Sequence, residues 1–140
     1  MPMSRPGFWL AIVMLALVHQ PVEAGWVAID RQYQSPGLQT VYVDPDSVRK
    51  EGHLVTLVAL IDWTWMQGNR SPTRFYSTKF TKQFDCAERQ VRTLAATDFY
   101  GHMGTAHPVG GSGLSGEGHW TAVQPESVNQ GLWEVACGKG

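Results

Sequence analysis

The residues with the most chemical potential in this chain are His102, His107 and His119, which lie in or beside a glycine-rich stretch. Imidazoles on a pliable loop can gather around zinc, copper or haem iron. The strong metal signatures, such as two histidines one helical turn apart around a glutamate, do not occur here. Solvated loop histidines are the simpler reading, so the sequence assigns no metal and no other cofactor. A periplasmic metal- or haem-binding protein using these three histidines is kept as the alternative.

Catalytic patterns fare no better. Gly111-Ser112-Gly113-Leu114-Ser115-Gly116 has the letters of a dinucleotide loop. It neither follows a convincing strand nor opens a helix, which that chemistry requires. No nucleophile elbow surrounds Ser112 or Ser115. Asp44, Asp46 and Asp62 could be imagined as acid–base carboxylates, but two of them, Asp44 and Asp46, fall in a turn where bonding to the local backbone explains them. The sequence therefore predicts no catalytic residue and no enzyme.

Aromatic and cationic side chains are the remaining surplus. Trp63 and Trp65 share one strand face by parity, and Tyr76 and Phe80 share another. Such faces serve either as core or as a platform for a peptide, a glycan or a second subunit, including a homodimer partner. Arg74, Lys79, Lys82, Arg89 and Arg92 spread positive charge over two adjacent segments. They are either solvated strand residues or a patch for an acidic matrix protein. The formal net charge of -1 argues against a nucleic-acid partner.

These residues need elements to hold them. Residues 26–30 and 40–44 read as short strands, being β-branched and aromatic and bounded by Pro and Gly. Asp44-Pro45-Asp46-Ser47 reads as a turn. In residues 53–65, Val55, Leu57, Ala59, Ile61 and Trp63 form one face, and Leu54, Val58 and Leu60 the other. Two apolar faces predict a central strand. Residues 74–84 alternate, with Tyr76, Phe80 and Phe84 on one side and Ser77, Lys79, Thr81 and Gln83 on the other, as in a half-solvated antiparallel strand. Residues 86–100 suit a helix and a strand equally, and 101–118 read mainly as loop. Residues 125–136 place Val128, Leu132, Val135 and Ala136 at helical spacing, with Pro125 fitted to a first turn.

At 140 residues the chain has the length of one domain. Residues 1–24 differ from the rest: Arg5 precedes an apolar run over 8–18, and Val22-Glu23-Ala24 follows. That is the pattern of a cleavable signal peptide, with cleavage before Gly25. The run is much shorter than the roughly 20 residues of a membrane-spanning helix. No cysteine near residue 24 can accept a lipid, so no membrane span or anchor is expected. The domain is assigned to residues 25–140. Cys86 and Cys137 are an even set in a chain bound for an oxidising compartment, and they are expected to pair. If a helix ran unbroken from Val128, Cys137 would lie about 180° from it. The helix is therefore expected to loosen by Ala136, with Gly138 as a left-handed stop.

In order and spacing, residues 26–137 resemble the surface-adhesin E family of small exported bacterial proteins. The resemblance rests on Tyr42-Val43-Asp44-Pro45 with Ser47-Val48, Leu60-Ile61-Asp62, Phe84-Asp85-Cys86, Arg89 and Arg92-Thr93-Leu94. It continues through Tyr100-Gly101-His102-Met103-Gly104, Trp120, Val123-Gln124-Pro125-Glu126-Ser127 and Cys137. The resemblance implies an α+β, mainly β fold: an antiparallel sheet with a C-terminal helix packed on it and tied by a disulfide. It favours strand for 86–100. It also implies a non-catalytic exported module of the cell envelope, periplasmic or at the surface, with host or matrix proteins as possible partners of the sheet. A structural envelope subunit is the further alternative.

Overall fold

The computed structural model describes residues 25–68, 74–109, 114–115 and 118–139. The expected signal peptide, residues 1–24, lies outside the described residues, as does part of the loop expected over 101–118.

The long apolar segment forms strand β4, Leu54–Gln67, and it is central as its two apolar faces predict. Its outer neighbours on one side are β2, Gln39–Val43, and β3, Arg49–Glu51. On the other side lies β5, Phe75–Asp85, followed by β6, Gln90–Phe99. Short strands finish the edges: β1, Val27–Ala28, on β2, and β7, Leu114–Ser115, and β8, Thr121–Ala122, on β6. Every pairing is antiparallel. The segment left open between helix and strand is thus strand β6, because pairing with β5 along nearly its full length satisfies its backbone. Leu114 and Ser115 of the dinucleotide-like letters pair with Ala96 and Ala95, so that part of the loop is sheet edge.

Register sorts the side chains. Val55 lies opposite Phe84, Leu57 opposite Lys82, Ala59 opposite Phe80, and Ile61 opposite both Val41 and Thr78. This face carries the main core of Val41, Val43, Val55, Leu57, Ala59, Phe84 and Val91. On the opposite face Leu60 is fully buried beneath the 3-10 turn His102–Gly104, where Gly104 takes φ 71° and approaches the Leu60 methyl. Asp44 accepts the Asp46 amide and caps the 3-10 turn Pro45–Ser47, fulfilling the expected turn chemistry.

The core face is covered by helix α1, Val128–Cys137. It starts later than its sequence spacing predicts. Glu126 has φ 61°, outside the right-handed helical region, and the Ser127 hydroxyl caps the Gln130 amide. Its buried face also differs: Leu132, Trp133 and Ala136 are inside, whereas Val135 is 44% exposed. Gly131 is buried with these three, and at about 100° per residue Cys137 is only about 40° from Trp133. The sulfur therefore reaches the sheet without any loosening at Ala136. The helix continues to Cys137 and stops at Gly138, whose φ is 87° and whose amide donates to the Glu134 carbonyl. The Cys86–Cys137 disulfide forms as expected, with Cα atoms 5.6 Å apart. Trp133 meets Phe84 edge to face at 6.2 Å between ring centres.

Candidate functional site

The sheet presents one face to α1 and leaves much of the other open, so each cation's value depends on the face it occupies. On the open face the Lys79 ammonium lies 5.6 Å from the centre of the Phe99 ring. The Arg92 guanidinium stacks 4.4 Å from the Trp120 ring and donates from Nε to Gln83 Oε1 at 2.8 Å. Gln83 in turn donates to Thr56. Such pairs hold long cationic side chains flat against aromatic surface.

Trp63 and Trp65 are separated in environment despite their parity. Trp63 is half-buried and donates to Thr78 Oγ1, which donates onward to Asp98. Trp65 is 67% exposed and donates from its indole N–H to the Gly37 carbonyl at 3.2 Å. The register with β5 shifts between Asp62 and Gln67, so β4 departs from its neighbour here. With Leu38 and Met66 also exposed, this end of the sheet forms an apolar tip. Arg74 is exposed at the start of β5.

Two of the expected cations lie elsewhere. Arg89, at φ 53° in the turn between β5 and β6, stacks on Trp133 and bonds Gln130, bracing α1. Lys82 is on the core face, between Phe80 and Phe84 in the strand. Burial lowers its pKa, because a charged ammonium loses hydration there. Thus the five cations do not make one patch: Lys79 and Arg92 share the open face, while Lys82 and Arg89 face or brace the helix. Of the expected aromatic pair, Phe80 lies under Lys82 and Tyr76 packs 4.6 Å from His102.

The histidines occupy different sites. His102 Nδ1 is 3.2 Å from Asp62 Oδ1, and the same oxygen accepts the Met103 amide at 2.7 Å. With Ser77 bonded to both the Gly101 carbonyl and the Gly104 amide, this clips the 3-10 turn over Leu60. His119 instead lines a groove with Lys82, Arg92 and Asn129, and His107 lends its carbonyl to Tyr100. Among the described residues, no three His, Cys, Asp or Glu side chains gather as metal ligands would. Phe99, Gln83 and Trp120 were not singled out by sequence reasoning; strand parity around Lys79 and Arg92 was the available signal for the first two.

The surface-adhesin protein E family model matches residues 26–138. Similar folds occur in crystal structures of Haemophilus influenzae protein E. Crystal form II is 12% identical with a TM-score of 0.63, over 84% of this chain and 90% of that one. The selenomethionine form is 12% identical with a TM-score of 0.60, over 85% and 92%. A further structure is 13% identical with a TM-score of 0.59, over 86% and 91%. At such identities the likeness speaks for the fold. No curated protein matches the chain.

Proposed function

The chain belongs to the surface-adhesin protein E family, and from that premise we propose that it is a non-catalytic exported adhesin-type protein that binds an acidic segment of a host or matrix protein. The open sheet face is the working surface. The observation that carries this reading is the pairing of Lys79 with Phe99 and Arg92 with Trp120 on that face. Two cations held over rings combine electrostatic attraction with flat apolar contact, as protein-binding surfaces do. Exposed Trp65 adds an anchor of the type that dominates binding energy in many interfaces. No helix among the described residues is long and apolar enough to cross a membrane, which fits a protein exported to the periplasm or the surface.

Binding of the purified protein to a panel of immobilised extracellular-matrix proteins tests the reading. Lys79→Glu and Trp65→Ala change exposed side chains and leave folding within about 0.5 kcal/mol. Each is expected to weaken binding to a matrix protein by about tenfold or more, and the Lys79→Glu loss should shrink at high salt. Absence of binding across the panel, or binding indifferent to both substitutions, refutes it.

A further inference from the structure

We propose that the cavity between β2, β4, β5 and the start of α1 is a binding site for a small amphiphilic monocarboxylate, with Lys82 holding the carboxylate and the core walls holding a short hydrocarbon tail. The cavity has a volume of about 240 Å³ and is walled by Val41, Ile61, Phe80, Val128 and Leu132. At about 30 Å³ per water-sized unit it accommodates roughly eight non-hydrogen atoms, the size of a six-carbon acid.

Lys82 gives the cavity its polarity. Register places it opposite Leu57 on the core face, where an aliphatic residue would complete the pattern. Its ammonium makes one hydrogen bond, to the neutral Asn129 Oδ1 at 3.1 Å, and lies 5.1 Å from the Phe80 ring centre. No described carboxylate is within ion-pair distance of it. An ammonium has three N–H donors, so two are left for an incoming acceptor. A half-buried cation without a counter-ion is costly, and an anionic ligand removes that cost. The N-terminal end of α1, with Ser127 and Asn129 on the cavity wall, adds potential of the same sign.

The rest of the lining sets the ligand's charge and shape. One ammonium neutralises one negative charge; a phosphate dianion would remain under-compensated among apolar walls. A neutral alcohol would leave the ammonium unpaired. The site lies on the helix side of the sheet, opposite the proposed adhesion face, so the two readings stand or fall separately.

Titration of the purified protein with sodium hexanoate, followed by residue-resolved NMR, tests the proposal against hexan-1-ol as a neutral control of the same chain length. Hexanoate is expected to shift the resonances of Lys82, Asn129 and Ile61 and to bind at least tenfold more tightly than the alcohol. Lys82→Met, which keeps the stem and removes the charge, should abolish that tenfold preference, and Val128→Phe should block both ligands. Equal binding of acid and alcohol to the unsubstituted protein, shifts confined to other residues, or no response at millimolar hexanoate would overturn the proposal. The acid–alcohol comparison decides it even where a variant fails to fold.

Discussion

The Tyr33 hydroxyl donates a 2.6 Å hydrogen bond to Glu134 Oε2, joining the 3-10 turn Arg31–Tyr33 to α1 across 101 residues of chain. Gln130 Nε2 donates to the same oxygen at 3.2 Å. The helix is thereby fastened to the first segment of the domain by polar contacts as well as by its apolar face.

That contact predicts a pH dependence at both ends of the scale. The hydrogen bond from Tyr33, with that from Gln130, lowers the Glu134 pKa. A depressed carboxylate contributes stability that is complete above its unfolded value, about 4.3, and is lost as pH falls through the lower folded value. Tyr33 is shifted the other way, chiefly by the hydrogen bond to Glu134 and then by burial. Its contribution is complete below about pH 10 and is lost as pH rises through the raised folded value. Urea unfolding measured from pH 3 to pH 8 should show a shallower acid loss for Glu134→Gln than for the unsubstituted protein. An unchanged acid limb would show that the pair is energetically silent.

Cys86 and Cys137 close a loop of 51 residues in sequence separation. In the chain-entropy model such a loop gives about 4 kcal/mol of stabilisation, a large part of the roughly 5 to 15 kcal/mol typical of a domain. Replacing both cysteines by Ser should lower the melting temperature by more than about 10 °C. Amide exchange should accelerate first in α1, whose C-terminal end the bridge secures. Thermal melts and hydrogen exchange on the oxidised and double-Ser proteins check both outcomes.

Gly131 offers a test in which local propensity and packing oppose each other. In an open helix, Gly→Ala stabilises by about 1 kcal/mol. Here a Cβ at residue 131 would lie 2.8 Å from both Ile29 Cδ1 and Tyr33 Cδ2, closer than real side-chain contacts permit. Gly131→Ala is therefore expected to destabilise by about 1–3 kcal/mol, because α1 must move away from Ile29 and Tyr33. Denaturant midpoints measure it; a more stable variant would mean that the helix has room to shift.

Much of the architecture was legible in residue order. Alternation along 74–84 and the two apolar faces of 53–65 gave β5 and β4, since strand parity is a local property with a period of two. Asp44-Pro45 carried its own turn, and two cysteines in a chain with an export pattern carried their pairing, which the structure bears out. Family resemblance tipped 86–100 to strand, where periodicity alone was balanced. The candidate binding residues were legible only as types: Trp63, Trp65, Arg74, Lys79, Lys82, Arg89 and Arg92 could be named, but not sorted.

Sorting them required the tertiary structure, because burial is decided by what lies across from a residue and not by its neighbours in sequence. Lys79 and Lys82 are three positions apart on one strand, yet parity sends them to opposite faces and α1 covers only one. Trp63 and Trp65 share parity, but the register shift after Asp62 leaves Trp65 exposed. The helix face was misread for the same reason. Spacing alone allows Val135 or Trp133 inward, and the choice falls to Trp133 because Phe84 on β5 lies beneath it. Sequence determined strands β4 and β5, the turn at Asp44 and the pairing of the cysteines. Only the packing of α1 against one side of the sheet decided which cations meet solvent and which one lines a cavity.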